Sequence, residues 1–359
     1  MKSDFPKDKK EAIRKLTEEK YQILPGQDFQ IDRMEPEDAW GVARCFYEVY
    51  GEHYPFDHYY VPEKLVAADR SGDMIGIVAR TTKRDIIGFG SLFRNFAHNP
   101  RIYENGQATV IPDYRSTLAI ICIQDYIFDT ITDTVGIDIM FGEPVCNHLI
   151  MQKIASLNGF YDTGIELGVM PGETYHKGSP FVNRVSTVMS FKVIHDRPHG
   201  IYLPVEYEAL LRSMISKMPL SRNAAVSSDP VPQGSVSSMD ARYFEASQVL
   251  RLSICATGRD FESRLADEEA QAKSKGVVVF QVFVNLDEPW CGKAVTILRK
   301  RGFFFGGFLP QWFGSDGLLM QKLAALPDFN SVLLLTEDNR KLLDDIKADI
   351  ECCRSLETE

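Results

Sequence analysis

Val110-Ile111-Pro112-Asp113-Tyr114-Arg115-Ser116-Thr117-Leu118-Ala119 carries more potential chemistry than any other stretch of this sequence. An apolar strand ends in a proline turn and reopens as a helix. The first amides of that helix have no intrahelical acceptor, and the positive end of its dipole lies beside them. Such a turn is an anion cradle, and it suits a pyrophosphate because several aligned N–H donors share the charge without a lysine. Ser116 and Thr117 can cap the helix, and their hydroxyls can also donate to phosphate; capping alone explains them equally well. Further along, Gly142-Glu143-Pro144-Val145-Cys146-Asn147-His148 and Leu157-Asn158-Gly159-Phe160-Tyr161-Asp162-Thr163-Gly164 place a carboxylate, an imidazole and a glycine-terminated helix in sequence. Glu104 precedes the cradle by a few residues.

The elements that position these residues follow from periodicity. Alternation over Phe29–Met34 predicts a strand, and Pro36 suits the first turn of a helix reaching about Glu52. Residues 5–20 read as an exposed leading helix, and a short helix follows Pro62. Met74–Ala79 and Ile86–Leu92 form a hairpin across Thr82-Lys83-Arg84-Asp85. Gln107–Ile111 is the next strand, followed by a helix over Ser116–Asp129, a strand at Gly136–Phe141, a helix over Asn147–Leu157 and strands at Thr163–Gly168 and Ser186–Ile194. That order gives an α/β (α+β) layout with a sheet covered by helices.

Val110-x-Pro112-Asp113-Tyr114-Arg115 at a strand end, with Gly159-Phe160 closing a later helix, resembles the two signatures of the GNAT superfamily of acyl-CoA-dependent N-acyltransferases. The resemblance covers about 165 residues, and it implies a mixed, mostly antiparallel twisted sheet flanked by helices. It also implies acetyl-CoA or another acyl-CoA as co-substrate, without a metal. Val110, Ile111, Tyr114, Arg115, Ser116, Thr117, Leu118, Ala119 and Ile120 would bind it. Two positions depart from the family pattern. The usual glycines after the arginine are replaced by Ser116-Thr117-Leu118-Ala119, and glycine is what lets a backbone approach phosphate closely. The tyrosine that protonates the coenzyme A thiolate in many members corresponds to Ala155. Glu143 and His148, near the expected thioester position, are the first candidates for proton transfer, with Glu104 behind them. Each has a structural alternative, the carboxylate serving a helix dipole and the histidine capping a helix.

The second half repeats part of the first. Asp287-Glu288-Pro289-Trp290-Cys291 and a helix ending Lys300-Arg301-Gly302-Phe303 parallel Gly142-Glu143-Pro144 and Gly159-Phe160, in the manner of C-terminal GNAT-like modules of bacterial proteins. No cradle precedes the helix at Asp260, so this copy reads as degenerate and noncatalytic. Its strands are expected at Val249–Ile254, Gly276–Val284, Phe303–Phe308, Gly317–Lys322 and Val332–Leu335, with helices at Asp260–Lys275, Trp290–Arg301 and the C-terminus. Three consecutive phenylalanines, Phe303 to Phe305, should be buried on both faces of a sheet. The domain plan is therefore a leading segment 1–27, a GNAT-like domain 28–197 and a degenerate copy 198–359 in which the Ser/Pro-rich stretch 221–239 is a loop.

Composition bounds what the chain can do. At 359 residues it exceeds one ordinary domain, and 44% apolar residues suffice for two cores. A net charge of −10 argues against a nucleic-acid footprint. No apolar run is long enough to span a bilayer, and the charged N-terminus has no signal-peptide core, so a cytoplasmic protein is expected. Seven cysteines, Cys45, Cys122, Cys146, Cys255, Cys291, Cys352 and Cys353, form no CxxC pair and read as reduced thiols. The histidines and Asp57 in His53–Tyr60 match no metal spacing and read as a packed loop. The acyl acceptor, a small-molecule amine or a protein amine, has no signature. A noncatalytic GNAT-fold ligand-binding or regulatory module is the alternative, and a pairing domain in a homodimer is a third reading.

Overall fold

The structure, a computed structural model, describes residues 6–54, 56–94, 97–172 and 184–357. They fall into two compact units, one of 6–94, 103–137 and 172, the other of 97–102, 138–171 and 184–357.

In the first unit the elements are α1 (Lys9–Glu18), β1 (Phe29–Arg33), α2 (Ala39–Tyr50), α3 (Pro62–Ser71), β2 (Met74–Thr81), β3 (Ile86–Phe93), β4 (Ile102–Val110), α4 (Ala119–Tyr126) and α5 (Thr132–Val135). β1 to β4 form an antiparallel meander in chain order. Because side chains alternate along a strand, β3 presents Phe89 to α2 and Gly88 and Gly90 to α4. Phe46 of α2 meets Phe89 edge-on, and its ring stacks on Tyr59 at 4.4 Å. On the other face Ile123 of α4 lies so close that a Cβ on Gly90 would stand 2.6 Å from its Cγ2. The loop around His53–Tyr60 is packed, with Tyr54, Tyr59 and Tyr60 buried and the Tyr60 hydroxyl donating to the Gly51 carbonyl at 2.8 Å. The leading helix is not simply exposed: Ala12 and Leu16 of α1 are buried in this same core.

The second unit contains β5 (Ile139–Gly142), α6 (Ile150–Leu157), β6 (Tyr161–Met170), β7 (Val185–Val193), β8 (His199–Leu203), α7 (Glu208–Lys217), β9 (Arg222–Val226), β10 (Ser238–Phe244), β11 (Val249–Ala256), α8 (Phe261–Ser274), β12 (Val279–Asn285), α9 (Cys291–Lys300), β13 (Phe304–Leu309), β14 (Gly317–Leu323) and α10 (Glu337–Glu357). Strand order is β5-β7-β6-β13-β14-β12-β11-β10, antiparallel except for the β11/β12 pair, with β8 and β9 forming a separate parallel pair.

The repeat read from sequence is visible in this order. β5, β7 and β6 lie side by side as β12, β14 and β13 do, with α6 and α9 after the first strand of each trio. Both helices end alike: Gly159 (φ +75°) and Gly302 (φ +80°) take the left-handed conformation, and the amides of Phe160 and Phe303 reach back to the carbonyls of Ala155 and Leu298 at 3.1 and 3.0 Å. The copies join where Gly164 pairs with Gly307, each five residues past its helix-ending glycine. Equivalent residues facing each other across an antiparallel ladder define a pseudo-two-fold axis at that point. The buried Gln321 side chain extends the seam, accepting from the Leu167 amide at 2.9 Å and donating to the Ile165 carbonyl at 2.8 Å.

Three expectations need correction. The stretch 221–239 is not loop throughout: β9 occupies Arg222–Val226, and β10 begins at Ser238. Arg222 fixes β9 through buried bonds to Asp316, with Nε to Oδ2 at 2.6 Å. Val332–Leu335 is not a strand, because the backbone of Leu333 and Leu335 is held by the Gln152 side chain of α6. Residues 138–171 and 184–197, grouped by sequence with 28–137, lie in the second unit, tied to it by the β6/β13 pairing. Phe303, Phe304 and Phe305 are buried as expected.

Candidate functional site

β4 is irregular where it matters. Phe89 of β3 faces Thr109 and Ser91 faces Gly106, so two residues of β4, Gln107 and Ala108, oppose the single Gly90. This is a β-bulge, with Gln107 at φ +51°. A non-glycine residue in the left-handed region is uncommon, and bulges gather beside active sites because they release ladder amides and re-aim side chains. Around the bulge, on the α2 face, Ser91 Oγ donates to Gln107 Oε1 at 3.2 Å and Tyr59 bonds Ser91. Burial pushes the Tyr59 hydroxyl well above its ordinary pKa, the Ser91 bond opposes this, and the charge of Glu104 adds to the rise. Glu104 is itself buried, so the face carries a tyrosine, a serine and a carboxylate against an otherwise apolar wall.

The cradle follows directly. After Val110 the chain makes a tight turn over Pro112–Tyr114, where Arg115 Nε donates to the Val110 carbonyl at 3.2 Å. Tyr114 is buried, and its hydroxyl ties the turn to the leading segment, donating to the Leu24 carbonyl at 2.7 Å and accepting from the Gln27 amide at 3.1 Å. Thr117 Oγ1 donates to the Tyr114 carbonyl and accepts from the Ala119 amide, so its hydroxyl hydrogen is already used inside the turn. α4 has no side-chain cap at Leu118, which leaves the amides of Leu118, Ile120 and Ile121 as its open first turn. Leu118 is 64% exposed and Ser116 is exposed, so this end of α4 is reachable from solvent.

Glu143 and His148 lie in the second unit, apart in the chain division from the cradle. Glu143 Oε1 pairs with Arg251 Nη2 at 3.0 Å. The same guanidinium stands 3.5 Å from Glu166 Oε1, which also accepts from Gln281 Nε2 at 2.6 Å, while Thr187 Oγ1 donates to Glu166 Oε2 at 2.9 Å. Burial, then repulsion from Glu143, pushes the Glu166 carboxyl up to about 8, with Arg251 pulling the other way. Burial beside a second carboxylate thus favours the protonated form of Glu166. A carboxyl raised in the folded state stabilises fully below the ordinary carboxyl range and loses that contribution as pH rises toward 8. Glu166→Gln keeps the shape and the donor toward Glu143 without the titration. Urea unfolding should therefore show wild type losing on the order of 2 kcal/mol relative to this variant between acid and mildly alkaline pH, and parallel pH profiles would refute the raised Glu166 carboxyl.

His148 is bonded locally. Its Nδ1 accepts from the Ile150 amide at 3.3 Å at the start of α6, and partial burial lowers its pKa. Ala155 is buried in α6. Cys146, conceivable as a covalent acyl carrier, is buried, and its thiol is pushed up to about 12 by desolvation, which removes it as a nucleophile at neutral pH.

Sequence reading missed Tyr59, Ser91, Gln107, Arg251 and Glu166. Asn105-Gly106, a turn dipeptide inside a strand, is the local signal that could have revealed the bulge. Nothing local marks Arg251 or Glu166, which meet only through the curl of the sheet. Among the described residues no group of three or more His, Cys, Asp or Glu side chains could hold a metal ion, and no helix is long and apolar enough to cross a membrane.

No protein-family model matches the chain, and no curated protein matches it. Solved structures to which it is similar include the ribosomal-protein-S5-alanine acetyltransferase of Vibrio fischeri, at 13% identity over 48% of this chain and 95% of that one, with a TM-score of 0.37. The ribosomal-protein-S18-alanine N-acetyltransferase of Escherichia coli matches at 12% identity over 47% and 95%, with a TM-score of 0.37. A GNAT-family acetyltransferase of Staphylococcus aureus Mu50 matches at 13% over 46% and 99%, with a TM-score of 0.35.

Proposed function

We propose that the first unit binds an acyl-CoA and that the protein transfers the acyl group to an amine by direct attack on the thioester. The observation that carries this reading is the bulge at Gln107 placed a few residues ahead of the uncapped start of α4. The bulge in β4 thereby offers donors for a developing oxyanion, and the helix start beyond the C-terminal end of the strand offers donors for a pyrophosphate. In the transfer, the amine nitrogen bonds to the acyl carbon, the carbon–sulfur bond breaks, the amine loses a proton to a base and the thiolate leaves to be protonated. Glu104, buried in the same unit as the cradle, is the carboxylate we assign to take the amine proton. Glu143 and His148 remain candidates whose tests are Glu143→Gln and His148→Ala, each expected to lower turnover far more than coenzyme A affinity if the residue acts on substrate. The acceptor is an amine, on a small molecule or a protein.

Acetyl-CoA should raise the melting temperature by several degrees, because ligand bound to the native state alone stabilises it. Calorimetry showing no heat with acetyl-CoA, longer acyl-CoAs or coenzyme A would overturn the proposal. Leu118→Gly should tighten acyl-CoA binding severalfold, since the exposed leucine occupies the position where close phosphate approach needs a bare backbone. The second reading, a ligand-binding module without turnover, is favoured by that leucine and by Ala155. It predicts coenzyme A binding with no thiol release in the presence of amines.

A further inference from the structure

On the α4 face of β4, opposite Glu104, Asn105 Nδ2 donates to Gln124 Oε1 at 2.6 Å. The other half of each amide, Asn105 Oδ1 and Gln124 Nε2, is buried without a hydrogen-bond partner. Gln124 is 1% exposed, whereas Asn105 is half-buried, so Asn105 is the end at which a ligand meets the pair. Buried polar atoms are nearly always satisfied in folded proteins, and an orphan donor beside an orphan acceptor calls for an explanation. The two orphans have the complementary polarity of a secondary amide, whose N–H would go to Oδ1 and whose carbonyl would take Nε2. They lie two residues before the Gln107 bulge on β4 and five residues into α4 from its open first turn.

We infer that Asn105 and Gln124 form an amide-reading subsite that binds a secondary amide of the pantetheine arm of the acyl-CoA. This rests on the acyl-CoA reading above and names the part of the co-substrate that these two side chains select. The pair makes the arm, and not only the phosphates, a determinant of affinity, because a ligand without the amide leaves both orphans unpaired.

The test compares coenzyme A with 3′,5′-adenosine diphosphate, which keeps adenosine, the 3′-phosphate and the inner 5′-phosphate and lacks the outer 5′-phosphate and the arm, by calorimetry on wild type, Gln124→Leu and Asn105→Ala. Both variants should weaken coenzyme A about tenfold and leave 3′,5′-adenosine diphosphate unchanged. The double variant Asn105→Ala/Gln124→Leu should keep the melting temperature of the ligand-free protein, since it replaces both hydrogen-bonding partners with apolar groups. Should wild type bind coenzyme A and both variants bind it equally well, the subsite is refuted while the acyl-CoA reading stands. Parallel loss of both ligands would make the pair a support of the fold, which also refutes it. Absence of coenzyme A binding by wild type would remove both.

Discussion

Gly307→Ala should abolish or severely weaken the seam of the second unit, lowering stability by about 3 kcal/mol, at the upper end for overpacking. A Cβ there would stand 2.7 Å from the Cα of Gly164 and 3.0 Å from the Thr163 carbonyl oxygen, and neither is the far end of a flexible side chain. The two backbones pair directly at this point, and Thr163 Oγ1 adds a bond of 2.6 Å to the Phe308 carbonyl, so neither strand can retreat without breaking the join. Gly234→Ala is the control, because a Cβ at that position meets nothing within 4 Å. Chemical denaturation that finds the two variants equally stable would show that the seam yields where it is drawn as rigid.

Arg251→Ala should be comparably damaging for an electrostatic reason. It strips the only cation recorded against Glu143 and Glu166 among the described residues, and it also takes the Nε donor from Gln281 Oε1 at 2.8 Å. Removing one partner from a buried ionic cluster costs about 3–5 kcal/mol, because the remaining charge is left desolvated. Combining Arg251→Ala with Glu166→Gln should give a loss that departs from the sum of the two single losses, since the guanidinium bonds both carboxyls of one cluster. Additive losses in the double variant would show that the three groups are not one network.

How much was legible beforehand divides along physical lines. Elements written in local periodicity came through: the β2/β3 hairpin with its turn at Arg84, the closing helix α10, and the strand, turn and helix from Val110 into α4. The Gly-Phe repeat was legible because a helix ending in left-handed glycine is a local event. β8 and β9 were not, since Arg222–Val226 is a strand only through its parallel partner at His199–Leu203 and through the buried Asp316 that anchors it. Glu143 illustrates the same limit at a candidate site. Its position after a strand is written in the sequence, whereas its neutralisation by Arg251, more than a hundred residues away, depends on the curl of a sheet.

The Gly164/Gly307 join has a further bearing on how this protein exists in solution. Two related subunits meeting edge to edge would separate on dilution, and either could find another partner. Here the halves are covalently continuous, so their stoichiometry is fixed at one to one and their encounter is independent of concentration. Such tethering lets the halves diverge. β11 and β12 could become zipped together from Val249/Val279 to Ile254/Val284, leaving no gap for a ligand between them, while still serving as scaffold. What a homodimer must do twice with one sequence, this chain is free to divide between two.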